Sequence, residues 1–139
     1  MEKRRKTIEI AAALAPMAWA GLIFATSNSP RGAELPMLVP HFDKLVHAVV
    51  YGILSGCIAL ALVIHTGWSP NRIAWTALIL ASLYGVTDEF HQYFVPGRST
   101  ELLDWVADTT GASWVLLAAR TQASWFVSVS QRYSKDQPT

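Results

Sequence analysis

From Leu45 to Ile64 the chain reads LVHAVVYGILSGCIALALVI, and His47 is the one acidic or basic residue in it. At the helical rise of about 1.5 Å per residue such a run covers about 30 Å, the thickness of a bilayer's hydrocarbon core. Three more runs have the same character: Ile8 to Thr26, Ile73 to Val95 and Leu102 to Ala119. Ala, Leu and Ile dominate them, and no alternation of period two suggests a β-barrel. The fold class read from this pattern is all-α, a polytopic membrane bundle of about four transmembrane helices. Composition agrees, because 52% of the residues are hydrophobic and only 15% are charged, and the charges cluster between the runs. The segments Ser27-Asn28-Ser29-Pro30, Thr66-Gly67-Trp68-Ser69-Pro70 and Pro96-Gly97-Arg98 read as the connecting turns. The organisation is one transmembrane domain over residues 1–120 and a tail over 121–139, with no repeat or low-complexity tract.

Basic residues orient such a bundle, since Lys and Arg stay on the cytoplasmic side. With the N-terminus inside, the inner set is Lys3, Arg4, Arg5, Lys6, Arg72, Arg120, Arg132 and Lys135, against Arg31, Lys44 and Arg98 outside. Both termini are therefore expected to be cytoplasmic. The first run has a second reading: Lys3-Arg4-Arg5-Lys6, an apolar stretch and Ala18-Trp19-Ala20 imitate a secretory signal with a cleavage site. The apolar run continues through Gly21-Leu22-Ile23-Phe24, which fits a retained span better. Trp125, Phe126, Val127 and Val129 among polar residues leave the tail open between a helix along the inner interface and a solvated tail. Net charge is +1 and no nucleic-acid motif occurs, so the basic N-terminal run reads as a topology determinant and nucleic acid is not expected as a partner. The single Cys57 lies mid-helix and reads as packing.

Ionisable groups inside or beside spans carry the functional information, because a charge at a helix centre costs roughly 2.5 to 3.5 kcal/mol. Counting depth from Lys44, His47 lies about 4 Å and Tyr51 about 10 Å down the second helix. Counting from Ile73, Asp88 and Glu89 stand about 22 to 24 Å up the third, while Asp104 and Asp108 begin the fourth. Lys44, His47 and Tyr51 form one stripe, Glu89 and Gln92 a second, and Glu101, Asp104 and Asp108 a third. Ala77, Ala81 and Gly85 form a small-residue ladder whose next four-residue step is Glu89, which predicts that Glu89 points into the bundle. Gly52 with Gly56, and Ala107 with Gly111, offer similar close-approach faces. The layer sets Asp43, Asp88, Glu89, Glu101, Asp104 and Asp108 against Lys44 and Arg98, a formal balance of minus four. Such crowding must be relieved by protonation, a bound cation, water, or pairing in which Lys44, Arg98 and His47 each take a carboxylate. The set as a whole reads as a functional polar cavity.

The stretches His41 to Tyr51, Thr87 to Arg98 and Asp104 to Gly111 resemble the VanZ-like family, small bacterial membrane proteins named for a teicoplanin-resistance protein. The family pattern runs approximately D-K-x-x-H-x-x-x-Y, D-E-x-x-Q-x-x-x-x-G-R and D-x-x-x-N/D-x-x-G. It falls here on Asp43, Lys44, His47, Tyr51, Asp88, Glu89, Gln92, Pro96, Gly97, Arg98, Asp104, Asp108 and Gly111. Asp108 stands where many members carry Asn, and Trp114 or Val115 replaces a later small residue. The resemblance implies a bacterial cytoplasmic membrane protein linked to glycopeptide and lipoglycopeptide susceptibility, and it implies no settled reaction.

Three functions are then open. The first is a binding or transport-type protein whose outward-facing acidic cavity engages a cell-envelope amphiphile, a lipid headgroup or a lipid-linked precursor. The second is an intramembrane enzyme using His47, His91, Glu89, Asp104 and Asp108 as acid/base groups or ligands of a divalent cation, although no H-E-x-x-H or C-x-x-C signature is present. The third is a scaffold whose polar layer fixes helix register. Membrane lipids are the expected partners, and a transport path would call for a homo-oligomer because four helices make a thin wall.

Overall fold

Residues 2–28 and 41–134 are described by the computed structural model, and every regular element among them is helical. The order is α1 (Glu2–Ser27), α2 (Phe42–His65), α3 (Pro70–Gln92), α4 (Leu102–Ala112), α5 (Trp114–Thr121) and α6 (Ala123–Ser134). The Ser29-Pro30 half of the first expected turn, Arg31, and Lys135 with the rest of the tail's end lie outside the described residues.

α1 and α2 are each long and apolar enough to cross a membrane. α3, with 23 residues, has the length to do so but carries Arg72 near one end and Asp88 and Glu89 near the other. It starts at Pro70 because Ser69 caps it, accepting a hydrogen bond from the Arg72 amide at 3.4 Å, with proline in the first turn. The second turn is thus shorter than the sequence suggests, and the third span also ends earlier, at Gln92 instead of Val95. Beyond it the Val95 amide donates to the Gln92 carbonyl at 3.0 Å and the Arg98 amide to the Val95 carbonyl at 3.1 Å. Gly97 closes that turn at φ 82°, a conformation glycine adopts without steric cost. The expected fourth span is not one helix: α4 and α5 meet at Ser113. Ser113 Oγ donates to the Thr110 carbonyl at 2.7 Å and its amide is shared between the Thr109 and Thr110 carbonyls, local bonds that compete with a continuous ladder.

The bundle is organised around α2, and α4 comes closest to it. Gly52 and Gly111 make this approach; at the start of α5 the Trp114 indole N–H donates to the Gly52 carbonyl at 2.7 Å, and its ring lies over Gly56. α1 is fastened by Trp19 Nε1 donating to the Val50 carbonyl at 2.9 Å and by Tyr84 Oη donating to the Ala20 carbonyl at 2.7 Å. Ala77, Ala81, Val63, Ile73 and Val115 fill the interior. The described part of the tail is neither extended nor detached. Phe126 of α6 joins the core beside Val63 and Ile73, Ser130 Oγ donates to the Thr66 carbonyl at 3.1 Å, and Arg5 donates to the Tyr133 carbonyl at 2.7 Å.

Polarity is inverted relative to a water-soluble bundle. Leu14, Met17 and Leu22 on α1, Leu45, Val49 and Ile53 on α2, and Ile79, Leu80 and Leu83 on α3 are exposed, whereas Ser55, Asp88, Gln92, Asp104 and Asp108 are buried. An exterior of this kind suits lipid as solvent.

Candidate functional site

The stripe on α2 meets the stripe on α4 because both repeat at i, i+3 and i+7, so successive residues face one another like rungs. On the first rung Lys44 Nζ contacts Asp43 at 2.8 Å, Glu101 at 2.6 Å and Asp104 at 2.5 Å. On the second, His47 Nδ1 and Asp108 Oδ1 are hydrogen bonded at 2.9 Å, and His47 Nε2 stands 4.0 Å from Asp104 Oδ2. Tyr51 makes the third rung, 1% exposed, its hydroxyl buried without a hydrogen-bond partner.

α3 buries Asp88 and turns Glu89 inward only in part. Four residues advance a helix by about 400°, so three such steps from Ala77 leave Glu89 about 120° round, whereas Asp88, eleven residues on, returns to within about 20° of Ala77. Asp88 and Gln92 are accordingly buried and Glu89 is half-buried. Asp88 Oδ2 accepts from Ser27 Oγ at 2.9 Å and from Gln92 Nε2 at 3.1 Å, which ties the end of α1 to α3. Glu89 Oε2 accepts from the Glu101 amide at 3.0 Å, while its Oε1 is buried and unpartnered. Gly85 leaves room for Asp108, since a Cβ there would lie 3.0 Å from Asp108 Oδ2.

Arg98 departs from the expected pairing. Its guanidinium donates to the carbonyls of Thr26 and Ser27, both at 3.3 Å, and it meets no carboxylate among the described residues. It therefore closes the carbonyl end of α1, a common place for arginine at a helix C-terminus. His91 also stands apart: its ring packs on Phe24 at 4.6 Å between centroids, and it joins none of the carboxylate groups.

These side chains surround a cavity of about 420 Å³ at the Phe42 end of the bundle. Asp43, His47, Tyr51, Asp88, Gln92, Gly97, Arg98 and Asp104 give it a polar lining, and Ile23, Phe42, Val46 and Val50 an apolar one. Lys44 and Asp108 stand behind that wall. Glu89 opens onto a second hollow of about 360 Å³ with Val86, Leu102 and Trp105. Pro96 is exposed and lines neither, and Gly111 belongs to the α2–α4 contact. Sequence reasoning passed over Ser27, taking it for the start of a turn. Its spacing of four from Ile23, which is buried on the same face, was the available signal.

Two groups of potential ligands converge here. Asp43, Glu101 and Asp104 form one, His47, Glu89 and Asp108 the other, with the ligand atoms of each group within 4.8 Å of one another. Chemically the arrangement offers carboxylates, one imidazole and one phenol among apolar side chains, enough to hold a cation or the polar end of an amphiphile.

No curated protein and no solved structure matches the chain. The VanZ/LLP1 family matches residues 2–125, nearly the whole length and all four segments that build the cavity, so this membrane protein belongs to the VanZ/LLP1 family.

Proposed function

We propose that the protein binds the polar headgroup of a cell-envelope amphiphile in this cavity, from the extracytoplasmic face of the cytoplasmic membrane. What supports the reading is the mixed lining: a headgroup-sized space in which charged and hydrogen-bonding groups stand among the apolar side chains of Ile23, Phe42, Val46 and Val50. A lipid or lipid-linked precursor likewise brings a polar head and an apolar chain. Membership of a family named for a teicoplanin-resistance protein supports a biological context in which engaging an envelope amphiphile lowers susceptibility to lipoglycopeptides.

Native mass spectrometry of the protein released from membranes tests this reading. Wild type is expected to retain an amphiphile as a defined added mass. Val46→Trp, which places an indole in the cavity from a position already 38% exposed, is expected to lose it. Leu83→Trp, on the exposed side of α3, is expected to keep it. Wild type without any added mass, or Val46→Trp with an undiminished one, would contradict the reading.

The orientation rests on the basic residues. Reporter fusions after residue 139 and in the Thr66–Ser69 connection are expected to read cytoplasmic, and a fusion after Gly97 extracytoplasmic. A cytoplasmic signal after Gly97 would turn the cavity to the other side.

A further inference from the structure

The two carboxylate groups are in different states. Asp43, Glu101 and Asp104 already surround a cation, the Lys44 ammonium, at 2.5 to 2.8 Å. Around His47, Glu89 and Asp108, no lysine or arginine of the described residues comes within salt-bridge distance of either carboxylate. The Asp108 side chain is 1% exposed, yet its Oδ2 has no hydrogen-bond partner, and neither does the buried Oε1 of Glu89. Buried carboxylate oxygens without partners are costly, and a bound cation is one of the few ways to satisfy two at once.

We propose that His47, Glu89 and Asp108 bind one divalent first-row transition cation such as Zn²⁺ or Mn²⁺. One imidazole with two carboxylates is a donor set suited to these ions. At ligand distances of about 2.1 Å, neighbouring ligands at a right angle lie about 3.0 Å apart. His47 Nδ1 and Asp108 Oδ1 already stand at 2.9 Å, and a carboxylate holding the ion through both oxygens would satisfy Asp108 Oδ2 as well. The cation replaces the proton they share, and neutral His47 keeps its proton on Nε2, which faces Asp104 Oδ2 at 4.0 Å, beyond hydrogen-bond reach and within reach of its charge. Glu89 closes the third side from α3. Three protein ligands leave coordination positions open, and His47 lines the cavity. An anionic headgroup oxygen would fill one of them, a detail that rests on the headgroup reading and explains how an acidic cavity accepts an anion.

The test is titration of purified, chelator-treated protein with Mn²⁺, followed by loss of the free-ion EPR signal, with Zn²⁺ as competitor. One site per chain is expected, with Zn²⁺ displacing Mn²⁺. Asp108→Asn and Glu89→Gln should each weaken binding at least tenfold, while Glu9→Gln at the opposite end of the bundle leaves it unchanged. Should Asp108→Asn fail to fold, Glu89→Gln, at a half-buried position, carries the test. Absence of a site for either ion overturns the proposal. So does binding that survives both substitutions, or binding lost on Asp43→Asn in their place, which would put the ion in the Lys44 group. Amphiphile retained by a protein that binds no ion would defeat this inference and leave the headgroup reading standing; ion binding without any retained amphiphile would do the reverse.

Discussion

Gly111→Val should lower the protein's thermal midpoint by about 10 °C or prevent its accumulation in the membrane. A Cβ on Gly111 would collide with the backbone of Ala48, carbonyl included. Side chains can rotate away from an intruding methyl, but here both parties to the contact are helix backbone. Relief requires α2 and α4 to separate, and the α2–α4 contact also holds the rungs from Lys44 and His47, with the hydrogen bond from Trp114 of α5 to Gly52 just beyond it. Overpacking of a well-filled interior costs about 1 to 3 kcal/mol even where side chains can yield, so a backbone collision belongs at or beyond the upper end. Gly21→Val is the comparison, because a Cβ there meets nothing within 4 Å. The pair can be read by thermal unfolding in detergent, and equal midpoints would refute the close approach.

The α2 and α4 stripes were legible because their spacing is a property of the helix itself: residues at i, i+3 and i+7 share a face whatever the neighbours do. Glycines 52, 56 and 111 announced close approach for the same reason, and the structure places Trp114, a bulky departure from the family pattern, over the space that Gly56 leaves. The α3 ladder was right about Glu89 only in part, because a run of four-residue steps precesses around the helix: Glu89 is half-buried beside His47 and Asp108, while Asp88 holds the fully buried position. Arg98 could not be assigned from charge balance, since the carbonyl end of α1 competes for its donors and nothing in composition weighs a carbonyl against a carboxylate. The break at Ser113 was hidden by a run apolar enough to read straight through. It depends on hydroxyl-to-carbonyl bonds that hydropathy does not register.

Glu89→Gln is expected to abolish function while the protein folds and inserts normally. Glutamine keeps the size of the side chain and an oxygen to accept the Glu101 amide, so the bond that holds Glu89 at the start of α4 survives. What disappears is one negative charge in a layer whose formal balance is minus four. If the carboxylates served only to hold helices together, removing one from an overcrowded layer would be neutral or stabilising. If the layer binds a ligand, loss of the charge whose Oε1 is buried and unpartnered removes a binding group outright. Susceptibility to a lipoglycopeptide, measured in cells expressing wild type or Glu89→Gln at equal membrane abundance, separates the two. Protection is expected to fall to the level of cells carrying no copy; full protection by Glu89→Gln would contradict a functional role for this carboxylate.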